Sequence, residues 1–202
     1  MNLFALYFIC CTFGYLLGSF PTGVVLSKRR YLIDVRELGS GNIGATNVTR
    51  VFGWYAGLLT FAIDFLKGWL PVSGLLYTFP EYPWLATLTG SCLVLGHCYS
   101  LYLKFHGGKG VATSFGILVA VLPWAALIAG AVYATLLIAT RISSVGSLSG
   151  LTAALLTTAF LKPQPPALVL IFAMCSVVAY RHKHNIKRLI HDFRDKQRRQ
   201  NT

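Results

Sequence analysis

The chain has 202 residues, of which 55% are hydrophobic and only 12% charged, and a formal net charge of +12. Soluble domains carry about 25% charged residues, so this composition excludes an ordinary soluble globule and points to an integral membrane protein. The excess of Lys and Arg sits in clusters between long apolar runs, the pattern of membrane orientation by positive loops rather than of nucleic-acid binding.

In chain order, Asn2–Leu26 reads as a first span. Met1–Ser27 has no basic leading region and no small-residue cleavage site, so it is expected to stay as a membrane helix. A basic loop over 27–50 follows. Val51–Phe79 is the second span, interrupted by Asp64 and Lys67, which stand three apart and so share a helix face. Charges inside a membrane helix are costly and face the protein interior; the pair suits either a structural role or a place in a site. Tyr82–Gly96 is a third span.

Gly110–Thr140 contains no charged residue. A single helix there would be about 46 Å long against a hydrocarbon core of about 30 Å, and Pro123 near its middle divides it into two short or tilted spans. Ile142–Leu161 is the next span. Pro163, Pro165 and Pro166 form a turn, Ala167–Tyr180 is a last, short span, and a solvated basic tail runs from about residue 190.

Counting two spans in Gly110–Thr140 gives seven transmembrane helices. The loops 27–50, 97–110 and 141–147 and the tail then share one side, which holds every Lys and Arg except Lys67 and Lys162. The positive-inside rule makes that side cytoplasmic, with the amino terminus outside. The expectation is an all-α integral membrane protein, one domain over 1–202.

Three segments on that side carry candidate chemistry. The first, Gly39-Ser40-Gly41-Asn42-Ile43-Gly44-Ala45-Thr46-Asn47 and on to Arg50, combines glycines that let backbone N–H groups converge on an anion with neutral donors and a guanidinium fork suited to phosphate. The same residues also make an ordinary turn. The second, His97 to Gly110, has Gly107-Gly108-Lys109-Gly110 just before an apolar helix, a phosphate cradle in which the helix N-terminus adds its dipole. Its spacing is not that of a Walker A loop. His97 fits a general base, a phosphate ligand or a structural histidine, and Lys104 fits an anion contact or a side chain reaching for the interface. In the third, Ser143, Ser144 and Ser147 suit helix caps. In the tail, Asn185 and Arg188 share a helix face.

Other chemistries find little support. The five cysteines form no CxxC pair, and no metal site is expected. Asp64 is the only intramembrane carboxylate, so a two-carboxylate mechanism has no candidates. No G-x-S-x-G elbow is present, and His97 is followed four residues later by Leu101, not by the Asp of an acid–base pair. Anion transport is the competing class, but no repeated halves are visible.

Tyr15 to Ser19, Gly39 to Arg50, Asp64-Phe65-Leu66-Lys67-Gly68, Gly96-His97, Gly107 to Thr113, the third-segment serines and Asn185 to Leu189 occur in order over nearly the whole chain. Together they resemble the bacterial acyl-phosphate:glycerol-3-phosphate acyltransferases of the PlsY type. The resemblance implies transfer of a fatty acyl group from acyl phosphate to the 1-hydroxyl of glycerol 3-phosphate, the first step of membrane phospholipid synthesis. It implies a multi-pass protein of the bacterial inner membrane, acting as a monomer beside the enzyme that makes acyl phosphate. No cofactor and no nucleic-acid partner are implied.

Carried over residue by residue, the resemblance implies catalytic roles for Ser40, His97, Lys109 and Ser144. It implies substrate contacts at Gly39, Gly41, Asn42, Thr46, Asn47, Arg50, Lys104, Gly107, Gly108, Ser147, Asn185 and Arg188. Ser100 stands where the family usually has proline, His106 where it often has lysine, and Ile190-His191-Asp192 where a Gly-x-Glu element is common. The proton of the attacking hydroxyl goes either to His97 or to a substrate phosphate.

Overall fold

The computed structural model describes residues 2–161 and 164–200; Lys162 and Pro163, which the sequence places in a far-side turn, lie outside the described residues. Among the described residues the regular structure is helical: α1 (Leu3–Ser19), α2 (Thr22–Tyr31), α3 (Ala45–Phe52), α4 (Trp54–Thr78), α5 (Pro83–Cys98), α6 (Val111–Val121), α7 (Pro123–Thr140), α8 (Ser143–Leu161), α9 (Pro165–Arg181) and α10 (Lys183–Gln200). Single 3-10 turns cover Val35–Glu37 and Leu101–Leu103.

Local chemistry sets the breaks. Asn2 caps α1, its Oδ1 accepting from Phe4 N at 3.1 Å. The apolar run read as a single span over Asn2–Leu26 breaks at Phe20-Pro21, because a proline cannot donate to the helix ladder. The chain re-enters α2, whose last turn carries Lys28, Arg29 and Arg30 at the favourable end of the helix dipole. Gly53, at φ +88°, separates α3 from α4, so the second apolar run is also two helices. As the sequence anticipates, Pro123 opens α7 directly after the short α6.

Leu3–Tyr31, Trp54–Thr78, Pro123–Thr140 and Ser143–Leu161 are long and apolar enough to cross a bilayer, and α9 with α10 adds a fifth candidate bent by 55°. Much of the outer surface is apolar, with Phe4 at 78% and Phe160 at 84% exposure, as lipid contact requires.

Close backbone contacts fix the helix directions. Gly14 lies on Thr89, Gly18 on Leu93 and Gly96 on Tyr15 and Ser19, so α1 and α5 run the same way. Thr87 Oγ1 donates to Pro166 O at 2.9 Å and Gly90 meets Leu170, which makes α9 parallel to α5. Gly146 packs on Tyr133 and Gly150 on Ala129, which makes α7 and α8 an antiparallel hairpin. The ends of α1, α5 and α9 therefore lie at one end of the bundle. A main core of Val72, Leu93, Ile117, Leu118, Ile171 and Met174 fills its middle. A second cluster, Val24, Val35, Ile43, Val48 and Ala56, lies under the first loop.

A Cβ at Gly18 would run into the backbone of Leu93, and one at Gly96 into that of Tyr15, whereas Gly74 has open space. Replacement by alanine at Gly18 or Gly96 is expected to cost about 3 kcal/mol, the upper end for overpacking, read as a lower Tm in detergent. Gly74→Ala is expected to be neutral or to gain about 0.5–1 kcal/mol.

Candidate active site

The first loop is organised around one buried amide. Asn47, 2% exposed, accepts from Ser40 N at 2.8 Å and donates to Leu38 O at 3.1 Å and Asn42 O at 2.9 Å. Gly39 and Gly41 supply the left-handed turns that wrap the chain around it, at φ +59° and +69°. The part expected as loop ends at Gly44, and Thr46, Asn47 and Arg50 lie on α3. With Asn47 and Val48 facing inwards, Ser40, Thr46 and Arg50 are left exposed. Asn42 Oδ1 closes a small turn by accepting from Gly44 N at 2.8 Å. Arg50 Nη1 reaches back to Asn47 Oδ1 at 3.4 Å.

The second loop is pinned to the end of α5. Gly107 N donates to Cys98 O at 3.2 Å and Gly108 N to His97 O at 2.9 Å. These two amides, read from sequence as anion ligands, are engaged by the protein itself. Side chains are barred for a steric reason: a Cβ at Gly107 would meet the His97 carbonyl and one at Gly108 the His97 imidazole. Arg181 clamps the loop from α9, donating to Gly108 O at 3.0 Å and Gly107 O at 2.7 Å, with its guanidinium 5.2 Å over the Tyr99 ring. The α6 ladder opens with Ser114 N donating to Gly110 O at 2.8 Å. The amides of the first turn precede that bond, and Lys109 stands beside them.

Lys109 joins the tail: its Nζ donates to Asn185 Oδ1 at 2.5 Å. Burial, and then the charges of Arg188, Arg181 and Arg50, push the Lys109 ammonium down to about 8. Among the described residues none of these four cations has a carboxylate partner. On the same side Asp34 holds Arg36 at 2.6 Å and Lys28 at 3.1 Å, and Arg36 keeps the Asp34 carboxyl well below the usual carboxylate range. Arg50, Lys109, Arg181 and Arg188 form the candidate anion site, close enough together for the three guanidinium charges to act on the Lys109 ammonium.

The third segment meets the first through Ser143, whose Oγ lies 3.3 Å from Thr46 Oγ1 and 3.2 Å from Tyr133 Oη. Ser144 is buried, and Ser147 Oγ donates to Ser143 O at 2.9 Å. Lys104 is exposed in a left-handed conformation, φ +52°, and no hydrogen bond or ion pair among the described residues ties its ammonium to the cluster.

His97, 4% exposed, has Thr113 Oγ1 at 3.2 Å from its Nδ1 and Asp64 Oδ1 at 3.8 Å. Sequence reasoning did not single out Arg181, Ser143 or Thr113 as site residues. Arg181 is 73 positions from Gly108, so no spacing rule connects them.

The residues 8–192 match the family described as glycerol-3-phosphate acyltransferase. This chain belongs to that family. A glycerol-3-phosphate acyltransferase of Myxococcus xanthus is 42% identical, over 87% of this chain and 92% of the relative. One of Aquifex aeolicus is 39% identical, over 88% and 92%. The fold is similar to the crystal structure of PlsY, an integral membrane glycerol 3-phosphate acyltransferase, in its glycerol 3-phosphate form, with TM-score 0.89 and 38% identity over 92% of both chains. The lysophosphatidic acid form gives 0.86 at 36% identity. A multi-pass membrane acyltransferase therefore presents the cation cluster described above.

Lys109 must be charged to attract a phosphate, and its lowered value means that the charge is lost as pH rises through about 8. Affinity for glycerol 3-phosphate is expected to weaken by up to about tenfold between about pH 7 and 9, measured by calorimetry. Lys109→Arg, whose guanidinium stays charged to about pH 12 and beyond, is expected to flatten that dependence.

Proposed function

We propose that the acyl donor is a fatty acyl phosphate, and that the cluster of Arg50, Lys109, Arg181 and Arg188 holds the phosphates of donor and acceptor together. One observation carries the reading: four cations converge and, among the described residues, none pairs with a carboxylate, so two phosphate-bearing substrates supply the balancing charge. The 1-hydroxyl oxygen of glycerol 3-phosphate attacks the acyl carbonyl carbon. The bond from that carbon to the phosphate oxygen breaks, and lysophosphatidate and inorganic phosphate leave. Positioning of this kind is worth about 7–11 kcal/mol, and donors aimed at the developing oxyanion and the departing phosphate add to it.

The hydroxyl proton goes to the departing phosphate. The setting of His97 favours this over a histidine base, since its ring is buried, Nδ1 meets Thr113 and Nε2 lies under Gly108. Ser40, Thr46, Ser144 and Ser147 are assigned as neutral substrate contacts, and Asn47 acts through the shape of the first loop. Lys104 steers anions from the rim.

The protein is read as seven crossings, by α1 and α4 to α9, with the amino terminus outside and the active side in the cytoplasm. The parallel course of α1, α5 and α9 supports this, as does the concentration of Lys and Arg beyond their ends. It sits in the bacterial inner membrane as a monomer and receives acyl phosphate from the enzyme that makes it.

The test is acyl transfer by the purified protein in detergent. Lysophosphatidate and free phosphate are expected from palmitoyl phosphate and glycerol 3-phosphate, and no product from palmitoyl-CoA or palmitoyl-acyl carrier protein. Efficient use of either thioester would refute the donor assignment. His97→Gln is expected to keep kcat within about tenfold, less than the loss of about 10²–10⁴ that follows removal of a general base.

A further inference from the structure

Beneath the active site lies a buried polar chain that the transfer reaction does not use. Asp64 and Lys67 are 2% and 6% exposed and form an ion pair at 2.8 Å. Thr22 Oγ1 donates to Asp64 Oδ1 at 2.8 Å, and Lys67 Nζ donates to Phe20 O at 3.0 Å, at the break between α1 and α2. Asp64 Oδ1 lies 3.8 Å from His97 Nδ1, Thr113 Oγ1 is 3.2 Å from the same nitrogen, and the opposite ring nitrogen lies under Gly108. A pair serving stability alone gains little here, because apolar residues of similar volume often do as well in a buried position.

We infer that Asp64 and Lys67 are positioning residues: they hold the His97 imidazole in the tautomer with its proton on Nδ1, so that an unprotonated Nε2 faces Gly108. A hydroxyl donates or accepts, so Thr113 by itself selects neither tautomer. A carboxylate only accepts, and at 3.8 Å it acts through its field rather than through a direct bond. It favours an N–H dipole pointing towards it, and Thr113 Oγ1 then accepts that proton. Lys67 balances the carboxylate, so no net charge is left under the loop. The same imidazole residue accepts Gly108 N through its carbonyl, so ring and loop are located together. The arrangement parallels outer partners that fix the ring of a ligand histidine, whose loss typically costs about 10–100-fold.

The inference rests on reading this loop as part of the phosphate site, and its test separates the two. In protein labelled with ¹⁵N-histidine, His97 is assigned by its loss in His97→Gln and is expected to show the Nδ1–H pattern. In the double variant Asp64→Asn/Lys67→Gln, which leaves no buried charge unpaired, the pattern is expected to become mixed. There kcat/KM for glycerol 3-phosphate is expected to fall about tenfold, mostly through KM, with Tm near that of the parent. In a His97→Gln background the same double change is expected to cost almost nothing further. An Nε2–H pattern in the parent protein overturns the inference, and so does a double variant with parental tautomer and KM, or a loss that is additive with His97→Gln. If the double variant does not fold, the parent tautomer still decides. Absence of acyl transfer by the parent protein counts against the functional reading and leaves the tautomer result standing.

Discussion

Where α1 and α5 cross, backbone meets backbone. Gly18 and Gly96 leave no side chain between the helices, and small residues of this kind are how membrane helices gain contact without a hydrophobic driving force between them. The rest of the active side hangs on that approach. It brings Ser19 against the segment after α5, where Ser100 Oγ donates to Ser19 O at 2.5 Å. It also sets the Phe20 carbonyl within reach of Lys67 on α4. Once α5 is held, its last carbonyls become the ledge on which the glycine loop is built.

The electrostatics follow from the same frame. Loop, α3, α9 and α10 each contribute one cation, and three of the four are anchored by an uncharged partner: Asn47 for Arg50, Asn185 for Lys109, and the loop carbonyls for Arg181. Amides and carbonyls direct these side chains without neutralising them, as a carboxylate would. Burial, and after it the repulsion among these cations, leaves the Lys109 proton held less tightly than in water. An incoming dianion relieves that repulsion, so part of its binding energy comes from charge the empty site already holds at close quarters.

Much of this was legible in the sequence, and the remainder was hidden for identifiable reasons. Apolar runs gave the membrane class, and Pro123 gave the break between α6 and α7. Pro21 was equally informative but sat inside an unbroken apolar stretch, where hydropathy alone does not register a missing N–H. The helical spacing of Asn47 and Val48 on α3 was masked by the glycine-rich stretch before it. Gly107 and Gly108 stood out as special, yet the sequence could not distinguish a glycine needed for a ligand from one needed beneath a neighbouring helix. Arg181 read as one more charge in a basic tail, because its partners are loop carbonyls remote in sequence.

The length of α6 has a consequence for how a lipid substrate arrives. At 11 residues it rises about 16 Å, roughly half of a hydrocarbon core of about 30 Å. If its far end reaches the opposite headgroups, the loop at its near end sits well below the plane of the nearer ones. The reaction centre is then a recess sunk into the leaflet and open to water from above. A long-chain donor can enter it by lateral diffusion with its tail still among the acyl chains, while the small polar acceptor descends from the water. Product, acquiring a tail as it forms, is already dissolved in the phase where it is needed.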